Sequence, residues 1–487
     1  MKRVVIIGSG LGGLSCGALL SKKGFGVTVL EQGQQIGGCL QCFTRRGAKF
    51  ETGMHFIGSA REGEALDGML EVLGLKGRLP LAELDRTGYD VIAIAGERFR
   101  LSNGREAFVD TLAQRFPHQR TQLEHYMDLV GQIGQASALR SMDDAASNAA
   151  LNTKYQLQSV NAVIDGLTSD PLLAKVLVGN LPLYAGERDK TPFAMHAFIM
   201  DFYNHSAFRI VGGSDQIAVV LKHTLESNGG QVFTRQKATH ILCDAERATA
   251  VVTATGERYE ADWVISDAHP MRTLELIDSK LIRPAFRNRI NSMPQTIGAF
   301  SVYVEFKPQA VPYMNHNYYA YADSPWGCED YNDTNWPKGF LYMHFCDCAH
   351  PVYAHTGVII SYMKASDVAP WVGTTVGHRG DDYEAFKQWH AERLIEAVAE
   401  HFPGFRECIK HYYTSTPLTY RDYTGAEGGG MYGVARDMHL GAAGRVTHRM
   451  KIPNILQTGQ NINSHGMLGV LVGTLVTCNE IVSRTRP

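Results

Sequence analysis

Apolar and polar positions fall into blocks along this chain, and the blocks predict its elements. Residues 4–7 form an unbroken apolar run of strand length that enters the turn Gly8-Ser9-Gly10-Leu11-Gly12-Gly13 directly. A helix of small and apolar residues follows, then a second strand over residues 26–30 that ends on Glu31. Residues 59–200 read mainly as helix, with helical spacing over 112–130 and 149–177. Val211-Gly212-Gly213 opens a helix that runs through Asn228. A small meander is expected next, with strands at 231–234, 240–242 and 250–254 and a returning strand at 259–266. Runs at 297–306, 340–346 and 358–363 alternate like sheet strands. The aromatic-rich stretch 318–336 either lines an apolar tunnel or folds as a lid with buried rings. Tyr383, Phe386, His390, Leu394, Val398 and Phe402 form one helical stripe, read as core and closed by Pro403-Gly404. Residues 453–460 read as a strand ending on glycine. A polar loop and His465-Gly466-Met467-Leu468-Gly469 then open an apolar helix to Ile481.

The order strand, glycines, helix, strand, acid describes a nucleotide-diphosphate site. Gly8 allows a sharp turn off the strand, and Gly10 lets the backbone approach a pyrophosphate. Gly12 completes the loop, and Gly13 lets the helix pack on the sheet. The helix N-terminus offers unpaired N–H groups and partial positive charge. Glu31 is placed to accept ribose hydroxyls and would repel a 2′-phosphate. Both NAD and FAD fit this unit. Gly37-Gly38 permit a second close backbone approach, and Arg45 or Arg46 either meets a further phosphate or stands in a solvated basic pair. Contacts continuing past the acid point to FAD. NAD(P)H or another electron donor is compatible with this chemistry, but no second fingerprint marks a site for it.

Composition adds bounds. A chain of 487 residues exceeds one simple core and suggests two domains or more. A net charge of −2 gives no pointer to nucleic acid. There is no signal-peptide pattern, and the longest apolar candidate, residues 467–478, is short and holds Gly469 and Gly473. Nine cysteines show no disulfide framework, so a cytoplasmic setting is expected, with room for peripheral membrane contact. No metal site is expected, and the oligomeric state is not legible. Cys39-Leu40-Gln41-Cys42 is a CxxC beside the glycine pair, either a redox dithiol next to a flavin or a packed, unreactive pair.

Phe50-Glu51-Thr52-Gly53-Met54-His55-Phe56-Ile57-Gly58, Thr458-Gly459-Gln460 and Gly466-Met467-Leu468-Gly469 resemble the phytoene desaturase, carotenoid isomerase and retinol saturase family of FAD-dependent oxidoreductases, within the amine-oxidase-like flavoprotein superfamily. Val211-Gly212-Gly213, the strand at 261–266, Thr416-Pro417-Leu418-Thr419 and Gly430-Met431-Tyr432-Gly433 fit the same pattern in order. The resemblance implies an α/β fold: a Rossmann-like FAD-binding domain from residues 1–58, 205–290 and 430–487, with a discontinuous α+β substrate domain from 59–204 and 291–429. It implies chemistry on a carbon–carbon bond of a long unsaturated lipid, by saturation, desaturation or flavin-dependent cis–trans isomerisation. The blocks lie closest to the saturase and isomerase branch. Gly459, Gln460, Gly466, Met467 and Leu468 become cofactor-binding candidates, with Gln460 where many relatives carry Asp. The resemblance places the His55 segment near the flavin; His55 and His465 are the candidate proton-transfer residues. An amine oxidase on the same fold, or a flavin-dithiol oxidoreductase using Cys39 and Cys42, is the alternative reading.

Overall fold

The computed structural model describes residues 1–135 and 145–485. Its first sheet is wholly parallel and gathers strands from three distant parts of the chain. β1 (Arg3–Ile7) lies between β2 (Gly26–Leu30) and the strand Trp263–Ser266; Gln231–Phe233 flanks β2, and Ile455–Gln457 forms the other edge. Val4 to Ile7 are buried because helices cover both faces, which is why the run is apolar without alternation. α1 (Leu11–Lys22) returns the chain from β1 to β2. It packs against the C-terminal helix Gly466–Thr485, with Leu14, Ala18, Met467, Leu468 and Leu471 in one buried cluster. Each of those leucines contributes about 1.5–3 kcal/mol of burial free energy.

The second sheet has seven strands, in the order 409–415, 298–306, 356–363, 339–344, 317–321, 90–94 and 97–101. Neighbours are antiparallel except Asn317–Tyr321 with Asp90–Ile94. Period-two alternation sorts its side chains between two cores. Ile92, Tyr319, Leu341, Met343 and Val358 face the helices of residues 105–205, whereas Val91, Tyr318, Phe340, Tyr342 and Ile359 face the helix Asp381–His401. The stripe from Tyr383 to Val398 on that helix is indeed core, with Phe386 and Phe402 packed at its margin.

Several expected elements are divided by the structure. The described part of residues 59–204 carries the strands Leu81–Glu83, Asp90–Ile94 and Glu97–Leu101 among its helices. The helical reading of 112–130 breaks into Arg105–Ala113 and Arg120–Gln135, separated by a turn at Pro117 whose missing N–H cannot continue a helix. The reading of 149–177 becomes Ala145–Gln156, Val160–Leu167 and Pro171–Leu177; Ser159 and Asp170 cap the last two by accepting backbone N–H groups. Residues 259–266 are two strands: Arg258–Glu260 closes an antiparallel three-stranded sheet, and Trp263–Ser266 enters the parallel sheet beside β1. Gln231–Phe233 likewise pairs with β2 rather than with the meander. In the aromatic stretch, Asn317–Tyr321 is an interior strand, so its first rings are sheet rather than lid. The C-terminal helix is twenty residues, longer than the apolar run suggests. By length and composition it could cross a membrane, yet more than half of its apolar stretch is buried within this fold.

Candidate cofactor and substrate site

At the C-terminal end of β1 the chain turns through Gly8, whose φ of +97° is a conformation side chains disfavour. The Gly8 N–H donates to the Leu30 carbonyl at 2.8 Å, which ties the turn to the end of β2. A Cβ on Gly13 would lie 2.1 Å from the Gly8 carbonyl oxygen, so only glycine lets α1 start this close to the strand. Gly12 is constrained from the far side, where a Cβ would stand 2.8 Å from the Gly459 nitrogen. The N- and C-terminal glycine loops therefore face each other across one crevice. Gly37, at φ +116°, donates its N–H to the Ser9 carbonyl at 2.9 Å, and a Cβ on Gly38 would meet the Gly10 Cα at 3.2 Å. This second loop lies directly on the first.

Glu31 is buried and holds the loops together. Its carboxylate accepts from the Ser9 N–H at 3.0 Å, from the Ser9 hydroxyl, and from the Gly33 N–H at 2.7 Å. Lone pairs remain for a ribose hydroxyl, though the acid also has this structural task. Arg45 is placed differently from the phosphate contact considered for it. It ends the strand Cys42–Arg45, donates to the Thr44 carbonyl at 3.0 Å and covers the Phe43 ring, while Arg46 bonds His411. Their described contacts are with the hairpin and the seven-stranded sheet, because Phe43 packs on Tyr303 and Tyr413.

From this crevice a cleft runs between the seven-stranded sheet and the helices of residues 105–205, with about 1020 Å³ of atom-free space, its open mouth included. Cys39, Gly53, His55, Gly466 and Met467 line the end next to the crevice; Tyr321, Leu341, Met343, Ile360 and Tyr362 line the sheet side. Tyr203, Tyr420, Met431 and Tyr432 supply further walls. Among the described residues that line it, none is a lysine, arginine or carboxylate. Leu468 is turned instead onto α1, and Gln460 is half-buried beyond Gly459.

His55 is buried at the wall of the cleft and stacks on Phe345. Its Nδ1 stands 3.6 Å from a Glu51 oxygen, an ion-pair distance too long for a hydrogen bond. Burial raises the Glu51 carboxyl above its ordinary range, opposed by His55 and Arg209. Arg209 is almost fully buried behind them and donates to the His55 carbonyl at 3.2 Å, fixing that segment. His465 has another environment. Burial, with the nearby Arg436 charge, lowers its pKa to about 4, so the ring is neutral at pH 7. Its Nε2 donates to the Leu183 carbonyl at 3.1 Å, and the ring packs against Tyr432.

The surroundings of Cys39 and Cys42 disfavour a reactive dithiol. Burial, with the Asp267 charge adding, pushes the Cys39 thiol up to about 11. Burial and Glu51 push Cys42 up to about 12, and its Sγ lies 3.7 Å from the Ser214 hydroxyl. Both thiols are protonated and poor nucleophiles.

Sequence reasoning missed Asp267, whose side chain lies within the glycine crevice. An acid one residue beyond a parallel strand, at the sheet end where such folds bind ligands, was the available signal. It becomes useful only once Trp263–Ser266 is known to pair with β1.

The comparisons agree with this arrangement. A family model described as an NAD(P)-binding Rossmann-like domain matches residues 6–73. All-trans-retinol 13,14-reductase of Rattus norvegicus is 27% identical, with 99% of this chain and 85% of that protein covered. Phytoene desaturase (neurosporene-forming) of Cereibacter sphaeroides is 24% identical over 86% of this chain and 82% of its own length. Prolycopene isomerase of Arabidopsis thaliana is 22% identical over 88% and 73%. Among solved structures, an oxidoreductase from Methanosarcina mazei has a TM-score of 0.67 at 17% identity, covering 98% of this chain and 100% of its own. Putrescine oxidase bound to putrescine has a TM-score of 0.64 at 17% identity, covering 99% of each, and supports the fold alone. The first glycine loop of the crevice falls within the Rossmann-like match, which implies a dinucleotide cofactor, and the chain is similar over 86–99% of its length to a retinol reductase, a phytoene desaturase and a prolycopene isomerase.

Proposed function

We propose that this protein is an FAD-dependent oxidoreductase acting on a carbon–carbon bond of a long unsaturated lipid, such as a carotenoid, retinoid or similar polyene. Saturation or cis–trans isomerisation is favoured over desaturation, since the retinol reductases align over nearly the whole chain. The observation that carries the reading is the continuity between a glycine-walled crevice and an aromatic, uncharged cleft through Cys39, Gly53 and Met467. Gly8, Gly10, Gly12, Gly13 and Gly459 would hold the diphosphate, Glu31 a ribose, and Gly37-Gly38 the approach to the second half of the cofactor. Residues 1–58, 205–290 and 430–487 form the FAD unit in this reading, and 59–204 with 291–429 form the substrate unit. The strands of the parallel sheet all come from the first set and those of the seven-stranded sheet from the second.

When bound, FAD supplies hydride exchange at its ring system. The chain does the rest. The tyrosines and aliphatic side chains of the cleft bury an apolar substrate and exclude water. His55, with Glu51 behind it and Arg209 fixing its backbone, moves the proton at a substrate carbon. His465 is neutral with its N–H engaged, which suits orienting the cofactor end rather than proton donation.

Anaerobically reduced, FAD-reconstituted protein mixed with candidate polyenes tests the reading. Flavin reoxidation with a product two hydrogens heavier indicates saturation. Unchanged mass with shifted retention indicates isomerisation. Reduction of the oxidised protein by amines, with no response to any polyene, would replace the proposal with the amine oxidase reading. A colourless protein that takes up no flavin would end both.

A further inference from the structure

Four glycines of the crevice surround one side chain. A Cβ on Gly10 would lie 2.5 Å from Asp267 Oδ2, and one on Gly13 would lie 3.2 Å from the same oxygen. A Cβ on Gly12 would lie 2.6 Å from Asp267 Oδ1, and one on Gly459 would lie 2.5 Å from it. The backbone N–H groups of Gly13 and Gly10 lie near enough to this carboxyl to lower its pKa. These are the groups that a strand–glycine–helix unit offers to a diphosphate. The Asp267 side chain thus stands where the cofactor's charge belongs. Its backbone is pinned there, since Asp267 N donates to the Ile7 carbonyl at 2.8 Å and Thr458 N to the Ser266 carbonyl at 2.9 Å.

Two anions cannot share one set of donors without a large repulsive cost. A carboxylate that stays beside a bound diphosphate must be neutral, and a neutral carboxyl gains an O–H donor for a phosphate oxygen. We propose that Asp267 is a cofactor-site residue that holds the phosphate cradle in the free protein and takes up one proton when the FAD diphosphate binds. This rests on the FAD reading above.

The surrounding groups are compatible with that step. β2 brings Glu31, whose carboxylate is engaged by Ser9 and Gly33 and whose charge disfavours a second one nearby. The turn after Gly38 brings the Cys39 thiol, which is neutral. The first turn of α1 has no acid, and the C-terminal loop brings Thr458, which is uncharged. His269 faces away, to Gln295 at 2.9 Å. Burial and Glu31 together raise the Asp267 carboxyl to about 7, opposed by the two glycine N–H groups, so the proton is available near neutrality.

FAD titrated into the apoprotein, followed by flavin fluorescence between about pH 6 and 8.5, tests this in a window where FAD itself does not titrate. Expected is a Kd that weakens as pH rises above about 7, approaching tenfold per pH unit. Calorimetry in two buffers of different ionisation enthalpy should report up to one proton absorbed per FAD at the upper end. Asp267→Asn should bind with little pH dependence and more tightly than wild type at about pH 8.5. Asp267→Ser, checked for folding by circular dichroism, serves if the Asn variant does not fold. Saturable FAD binding with a flat wild-type Kd and no proton uptake overturns the inference, as does a neutral variant with an unchanged slope. No FAD binding at any pH overturns the FAD reading itself, and this inference with it.

Discussion

The crevice and the cleft are adjacent but are built by opposite means. The crevice is made of backbone: glycines 8, 10, 12, 13, 37, 38 and 459 bring N–H groups and strand ends together, with few side chains involved. The cleft is made of side chains, with tyrosines, aliphatics and two histidines drawn from segments up to about 430 positions apart in the chain. A backbone site fails when any Cβ intrudes, because peptide groups cannot move aside. A side-chain site is retuned by substitution, because neighbouring rotamers can repack. One site therefore suits a fixed cofactor, and the other suits substrates that differ between relatives.

The largest test of that contrast compares two glycines of one loop. Gly13→Val should prevent native folding or remove flavin completely, since its Cβ meets the Gly8 carbonyl. Gly10→Val meets only the Asp267 carboxyl end, so the apoprotein should fold while flavin affinity falls by about 100-fold or more. Circular dichroism with flavin-to-protein absorbance reads both, and a folded Gly13→Val variant that keeps flavin as well as wild type would refute a backbone-built cradle. Next in size is the cleft. His55→Gln should lower turnover by about 10²–10⁴-fold at unchanged flavin content. Wild-type turnover in that variant would leave His55 a wall residue.

A smaller effect comes from buried histidines. Burial lowers the pKa of His196 and of His344 to about 3 and that of His465 to about 4, against an ordinary value of 6.5. Between about pH 4 and 6.5 the unfolded chain binds these protons and the folded chain does not, so their contribution is lost as pH falls through this window. Asp90, raised to about 7 by burial, and Asp267 oppose them by holding protons in the folded state. His196→Gln should reduce the slope of unfolding free energy by up to about 1.4 kcal/mol per pH unit, measured by urea denaturation at several pH values. An unchanged slope would mean that His196 titrates normally. Smallest is the paired Cys39→Ser, Cys42→Ser variant. It should keep turnover within about twofold, because neither thiol ionises near neutrality; loss of activity with flavin retained would revive the dithiol reading.

What was legible before the structure follows the same division. Local chemistry announces itself locally: β1, its glycines, α1, β2 and Glu31 occupy twenty-nine consecutive positions, and each residue type answers a constraint within that stretch. Gly459 and the apolar helix beyond it were legible for the same reason. The split of residues 259–266 was not, because Val264 to Ser266 look alike in a hairpin or beside β1, and only pairing with residues 5–7 separates the cases. Arg45 was read either beside a phosphate or in a solvated basic pair, and its contacts here are within the hairpin Cys42–Glu51, with Thr44 and the Phe43 ring.

The sequence by itself determined the strand–glycine–helix–strand–acid unit, since glycine freedom and hydrophobic periodicity are properties of short stretches, while the expectation of an apolar substrate came from the family resemblance. The tertiary structure alone decided that the Asp267 side chain lies among those glycines, that Glu51 and Arg209 stand behind His55, and that an uncharged cleft opens from the crevice. Those are contacts between residues tens to hundreds of positions apart, fixed by strand pairing and packing, and no local pattern encodes them.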